Sequence, residues 1–410
     1  MKISHYEKII TPSVGTTVAG YAPHDVSVRV HDDLKLCILL MDDGENKGAV
    51  LSFDLIGLDD VFTEKISADA AAILGCPARN VILTCTHTHS GPHTRSLRKH
   101  GYNEAYMNSL YIWVKEAMTE AVKEWTEVDT YFYSCRCDEN YNRRFVDGAN
   151  QGKYLPLHRS LEPLAFEYKD QELGLLLFYE PDTPHPVGVL ANFAAHPLAS
   201  HSMGLGSHQI SADFPGVLRD VMADNSCWCV FLQGAAGDQF PKDAECGFEA
   251  ARRCANGLAI EIMRALCDAA RNRDKYFLPD PRIRALEKTV SLELRQDEKS
   301  KSSLTPALEG KKSVRARLHF LAVDDICFVG VPCELLGELG QEIKWHSPFR
   351  KTFILYNSTG YLSYICHANA FIAGGYETDH SHVKPFSGLE LVVGAVEGMR
   401  ELHAPLPEEL

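Results

Sequence analysis

The segment Thr86-His87-Thr88-His89-Ser90-Gly91-Pro92-His93-Thr94 constrains this chain more than any other. It follows directly on an apolar run, Asn80-Val81-Ile82-Leu83-Thr84-Cys85. The run is short, partly β-branched and bounded by polar residues, the signature of a buried strand. The histidines therefore sit where a central strand gives way to a loop, and in open α/β sheets ligand sites gather at the carboxyl ends of strands. His87 and His89 are two residues apart, so a continuing strand would point both the same way. Paired imidazoles at a strand end suit a metal ion. The alternative at this point is a polar loop that contains histidine.

The rest of the chain alternates between strand-like and helix-like segments. Leu36–Met41 and Ala49–Asp54 flank the turn Asp42-Asp43-Gly44-Glu45-Asn46, a hairpin signal. Phe62–Leu74, Glu104–Trp125 and Phe248–Ala270 have helical spacing, and Ser211-Ala212-Asp213-Phe214-Pro215 opens another helix. Strands are expected at Tyr131–Cys137, Leu164–Tyr168, Leu173–Tyr179, Val187–Ala195, Cys229–Leu232, Val314–Leu321 and Ile326–Val331, with a helix starting near Glu334. The charged stretch Gln296–Lys312 reads as an exposed excursion. No Pro/Ser-rich linker or internal repeat divides the sequence. The pattern predicts one large α/β domain over residues 1–410, with mixed β-sheets flanked by helices.

Composition narrows the function classes. A net charge of −14, from 41 basic and 55 acidic residues with no long basic run, argues against a nucleic-acid partner. No stretch is long and apolar enough for a transmembrane segment, and the N-terminus has no apolar signal region. Many of the 13 cysteines lie inside apolar runs, as Cys37, Cys85, Cys327 and Cys333 do. With no export signal these are reduced core thiols, and a cytoplasmic location is expected. The pairs Cys135/Cys137 and Cys227/Cys229 lack the spacing of structural zinc sites. The sequence leaves the oligomeric state open, with a homo-oligomer, most simply a two-fold dimer, as the base-rate guess.

Four further places bring a reactive residue to the end of an apolar run. Asn192-Phe193-Ala194-Ala195-His196 presents His196, and Val331-Pro332-Cys333-Glu334 presents Glu334 at a helix start. Gly360-Tyr361-Leu362-Ser363-Tyr364 leads towards Gly375-Tyr376-Glu377, and Gly234-Ala235-Ala236-Gly237-Asp238 offers close backbone approach to a ligand. Each alone has an ordinary structural explanation: a core histidine, a carboxylate on a helix dipole, a tyrosine anchor, a tight turn. Together, and in this order with Asn142-Arg143, they resemble the N-terminal catalytic domain of the neutral/alkaline non-lysosomal ceramidases. The resemblance spans roughly residues 15–380, and its most specific string is Thr86–Pro92. It implies a short bacterial-type relative without the C-terminal immunoglobulin-like domain.

The resemblance implies one zinc ion per chain, with His87, His196, Glu334 and Tyr364 as ligands. Tyr361 is a neighbouring candidate, but the twelve-residue step from Tyr364 to Tyr376 fits the family pattern. His and Glu ligands alone do not separate zinc from iron, manganese or nickel. The resemblance also implies that His89, Arg143 and Tyr376 bind the substrate carbonyl and its developing oxyanion. Asp54 and Asp213 are either partners of the ligand histidines or helix caps. His93, His201 and His208 either line the pocket or belong to a second metal site.

One departure matters. The ceramidase string Gly-Asp-x-Ser-Pro carries the proposed nucleophile, and here it reads Gly237-Asp238-Gln239-Phe240-Pro241. Phe240 cannot attack a carbonyl. The expectation is a zinc-dependent hydrolase of small amide or ester substrates that uses metal-activated water, with His89 or Asp238 as general base. The alternative is a catalytically inactive protein that binds a small ligand in the retained site.

Overall fold

The computed structural model describes residues 1–19, 26–95, 102–144, 168–200, 208–297, 308 and 310–404. Three mixed sheets organise them. The first runs in the order Val81–Cys85, Lys47–Phe53, Lys35–Asp42, Lys2–Ile9 and Thr126–Glu127. The second runs Trp228–Gln233, Pro186–Phe193, Glu172–Tyr179, Asp129–Arg136 and Phe277–Leu278. The third runs Ile283–Glu293, Ser313–Val323, Ile326–Gly330 and Lys351–Leu355. This is the mixed α/β architecture that the sequence pattern predicts. The expected hairpin pairs Lys35–Asp42 with Lys47–Phe53 in antiparallel register.

All three sheets share one apolar centre. Leu39, Val50 and Ile82 of the first sheet pack in one cluster with Leu176, Leu190 and Val230 of the second and Leu321, Phe328 and Phe353 of the third. The outer faces are covered by helices. Asp60–Leu74 and Glu104–Ala121 pack on the first sheet, and Asp213–Asp224 and Phe248–Arg271 on the second. Gly337–Trp345 and Ser387–His403 pack on the third. With both faces covered, the central strands read as near-continuous apolar runs, such as Leu173–Tyr179.

Each sheet contains one parallel pair of strands, and these pairs position the site. Lys47–Phe53 pairs with Val81–Cys85, Pro186–Phe193 with Trp228–Gln233, and Ile326–Gly330 with Lys351–Leu355. Parallel neighbours share a carboxyl end, so each pair sends two loops to the same side. Buried polar side chains near those ends tie the sheets together. Ser52 donates to the Phe231 carbonyl at 2.8 Å, Thr84 to that of Tyr356 at 3.0 Å, and Asn192 to those of Leu232 and Ile354 at 3.0 and 2.9 Å. These bonds satisfy carbonyls that the sheets leave unpaired where they meet.

The position of Glu334 needs adjusting, whereas the end of the Val81–Cys85 strand and the free thiols agree with the sequence reading. Glu334 does not start a helix: it lies in the two-residue strand Glu334–Leu335, and the helix begins at Gly337. The strand carrying the histidines stops at Cys85. None of the 13 cysteines forms a disulfide. The expected strand at 164–168 and excursion at 296–312 fall largely outside the described residues. Among the described residues, no helix is long and apolar enough to cross a membrane.

Candidate metal centre and active site

The three sheets deliver His87, His196 and Glu334 to one buried point. After Cys85 the chain turns sharply, and His87 takes a left-handed backbone conformation with φ 71°. Such a conformation is uncommon for a residue with a side chain and persists where the surroundings fix it. Here the His87 amide donates to the Leu55 carbonyl at 2.9 Å, and ring atom Nδ1 lies 2.5 Å from the Ile56 carbonyl. The pairing of His87 with His89 therefore arises from this turn and not from strand alternation. The two rings stand at 80° with centroids 4.9 Å apart.

The ring hydrogen bonds fix the tautomers. A carbonyl can only accept, so His87 Nδ1 and His196 Nδ1, the latter 2.9 Å from the Ala236 carbonyl, both carry protons. The Asn357 amide lies 2.7 Å from His87 Nδ1, and the orientation that suits it presents Oδ1 to that proton. In the neutral ring each Nε2 is then the atom that carries the lone pair. His87 Nε2 is buried without a hydrogen-bond partner. It lies 3.5 Å from Glu334 Oε2, and His196 Nε2 lies 3.9 Å from the same oxygen. His89 Nε2 is 3.1 Å from His196 Nε2. Among the described residues, His87, His89 and His196 form a group able to hold a metal ion, their ligand atoms all within 4.8 Å of one another. Burial, with neighbouring imidazoles adding to it, holds His89 and His196 well below the usual imidazole range. Both are neutral at neutral pH and free of the proton that would compete with a metal.

Glu334 is held by two tyrosines, Tyr356, which the sequence did not single out, and Tyr361, which it offered as an alternative to Tyr364. Its Oε2 accepts from the Tyr356 hydroxyl at 3.0 Å, and its Oε1 accepts from the Tyr361 hydroxyl. Burial alone would raise its pKa, but His87, His196 and Arg95 together hold it well below the usual carboxylate range. Tyr361 thus supports the carboxylate. Tyr364 lies beside it, since Glu334–Leu335 and Tyr364–Ile365 pair in parallel with Glu334 opposite Tyr364. Burial and Glu334 raise the Tyr364 hydroxyl well above the usual phenol range, while Arg143 opposes them.

Arg143 borders the cluster. Its Nε donates to Glu377 Oε1 at 2.5 Å, and its Nη2 reaches the Gly237 carbonyl at 2.9 Å and the Tyr364 hydroxyl at 3.3 Å. Arg144 grips the other oxygen of Glu377 at 2.6 Å. Gly237 is required where it stands, because a Cβ there would meet the Glu334 and Leu335 carbonyls at 2.9 Å. Tyr376 is 40% exposed, with its ring 5.8 Å from that of Tyr364 and 5.3 Å from the Arg143 guanidinium. It therefore stands at the mouth of the site.

Other candidates occupy different positions. Asp238 accepts from Asn142 at 2.9 Å, Gln239 at 2.8 Å and the Gly337 amide at 2.9 Å, while its carbonyl receives the Arg143 amide at 2.9 Å. Among the described residues Asp54 bonds no ligand histidine directly: it pairs with Arg219 through both oxygens and accepts from the Lys35 amide at 2.9 Å and the Thr86 hydroxyl at 3.2 Å. Asp213 begins a helix and accepts from the Ser200 and Phe214 amides at 2.6 and 2.7 Å. The carbonyls of Ile56 and Ala236 orient the histidines instead. His93 is buried beside the cluster's loop, and His201 lies outside the described residues. Phe240 is buried in the short strand Gln239–Pro241, against Tyr141 on one side and His196 and Arg143 on the other.

Tyr356, Asn357 and Arg95 are the site residues that sequence reasoning missed as contributors, and Tyr361 entered it only as an alternative ligand. The apolar run ending at Leu355 was the available signal, because it is a further strand end of the same type.

No protein-family model and no curated relative matches the sequence. Among solved structures, neutral ceramidase from Pseudomonas aeruginosa superposes with a TM-score of 0.75 over 99% of this chain and 76% of that one, at 15% identity. A ceramidase complexed with C2 gives a TM-score of 0.75 over 99% of this chain and 77% of that one, again at 15% identity. The chain therefore has a neutral ceramidase-like fold, as the sequence motifs imply.

Proposed function

We propose that this chain is a metal-dependent hydrolase of amide or ester bonds whose nucleophile is water and not a side chain. The observation that carries the reading is the approach of His87 Nε2 and His196 Nε2 to Glu334 Oε2, all three side chains buried, with both Nδ1 atoms bound to carbonyls. Two neutral imidazoles and a carboxylate fit zinc, with Tyr364 as the fourth group. A bound ion would polarise a substrate carbonyl and lower the pKa of a water molecule. His89 stays neutral and offers a lone pair to the proton that water loses. Arg143 and Tyr376 present donors to the developing oxyanion, and Glu377 and the Gly237 carbonyl fix the Arg143 guanidinium. Asp238 is a positioning residue, ordering Asn142 and the Arg143 backbone.

Phe240 favours a second reading, a ligand-binding protein without turnover, because it fills the nucleophile's position with an apolar ring. Zinc-loaded and chelator-treated protein assayed on a panel of N-acyl amides and acyl esters separates the two. Zinc-dependent release of the acid is expected. Equal turnover without metal overturns the hydrolase, and binding without turnover supports the second reading.

A further inference from the structure

Arg95 is a charged side chain in the site with no assigned task. It is 2% exposed, and its stem lies against Gly57, where a Cβ would meet Arg95 Cδ at 3.2 Å. Its guanidinium stacks on the Tyr361 ring, 4.1 Å from the centroid, so its direction is fixed. The nearest carboxylate oxygen is Glu334 Oε1, 3.8 Å from Nη1, beyond hydrogen-bond distance. Its Nε is buried without a partner, and among the described residues its guanidinium donates no hydrogen bond. A guanidinium has five N–H donors, and a buried one normally spends them on a carboxylate. Glu334 does not take them, because its Oε1 stands 3.8 Å from Nη1.

Arg143 and Arg144 both pair with Glu377, so the carboxylate they share is already engaged. Asp59 lies further out and adds a negative charge on the Arg95 side. A fixed, buried guanidinium with unused donors beside a reacting centre matches a planar anion.

We infer that Arg95 recognises a carboxylate on the substrate, which makes the preferred substrates acidic, of the N-acyl amino acid type and not neutral lipid amides. The inference rests on the proposed hydrolase reading. Water cleaves the amide C–N bond of such a substrate, the carbonyl carbon gains the hydroxyl, the nitrogen takes a proton, and a fatty acid and an amino acid leave.

The test uses a matched pair, N-octanoylglycine and N-octanoylethanolamine, which share the acyl amide and differ in the carboxylate. With zinc-loaded wild-type protein, kcat/KM is expected to favour octanoylglycine by about tenfold or more, the scale of a charged hydrogen bond. In Arg95→Met that ratio falls to about threefold or less, and Arg95→Lys retains an intermediate ratio because charge remains without the planar fork. A wild-type enzyme that treats the pair equally, or prefers the ethanolamide, overturns the inference whether or not the variants fold. If neither compound is turned over, the hydrolase reading fails, and calorimetric binding of the same pair still decides the role of Arg95. Tighter binding of octanoylglycine that the variant loses supports it, and equal binding overturns it.

Discussion

Phe240 packs edge-on against His196, with ring centroids 5.7 Å apart and planes at 62°, while the Arg143 guanidinium lies 4.6 Å from the Phe240 centroid. An apolar ring thus buttresses both a candidate ligand and the candidate oxyanion donor. No acyl-enzyme can form at this position. Rapid-quench assays of a hydrolysed amide should show linear release of the amine from the first turnover. A burst equal to the enzyme concentration would mean that another side chain acts as nucleophile. Phe240→Ala should also cost about 3–5 kcal/mol in stability through the cavity it leaves.

Glu334 and His89 are rival third neighbours of the His87–His196 pair. Glu334 Oε2 faces both imidazoles and is fixed by Tyr356, whereas His89 Nε2 lies 3.1 Å from His196 Nε2. Glu334→Gln should therefore lose most of its bound metal. His89→Ala should keep the metal and lose turnover by about 100-fold, the scale of a missing general base. Metal analysis of the two variants checks this, and the reverse pattern would make the three histidines the ligand set.

The Asp54–Arg219 pair is a buried structural ion pair. Arg219 lies on the helix Asp213–Asp224 and Asp54 at the end of the strand Lys47–Phe53, so the pair joins the two. Arg219→Ala leaves a buried carboxylate uncompensated and should cost about 3–5 kcal/mol. Urea denaturation gives that loss, and the folded variant should bind metal as the wild type does. Loss of metal at unchanged stability would tie Asp54 to the ligands.

Acid should weaken the metal-free fold from just below the ordinary imidazole range. Burial pushes His5 and His382 down to about 4, and His89 and His196 are also held low. Between about 6.5 and 4 the unfolded chain binds more protons at these sites than the folded one, so stability falls as pH falls. His5 and His382 would contribute on the order of 3 kcal/mol each over the full window. Burial raises Asp60 and Asp213 to about 6, and these favour the folded state as they take up protons below that value. The histidines therefore act first. The urea midpoint should be lower at pH 6.0 than at pH 7.5, and a higher midpoint at pH 6.0 would contradict this assignment.

Much of the fold was legible where the signal was local. The hairpin at 35–53 and the helices at 60–74, 104–121 and 248–271 follow from turn chemistry and apolar spacing. The strand Lys2–Ile9 was missed because its partly exposed, charged sequence lacks a continuous apolar run. In the site, the motif histidines and Glu334 were legible as strand ends. Their supports were not, because they depend on approach of distant residues: Asn357 reaches His87 only when the third sheet docks on the first, and Tyr356 and Tyr361 reach Glu334 from 22 and 27 residues further along the chain. Glu334 itself was misread as a helix start because a two-residue parallel strand has no sequence period to reveal it.

Elemental mass spectrometry of purified protein, after exposure to excess zinc and removal of free ion, tests the central claim most directly. Close to one divalent ion per chain is expected in the wild type and almost none in His87→Ala/His196→Ala. Wild-type protein that stays metal-free, or a double variant that binds the same amount, would contradict it.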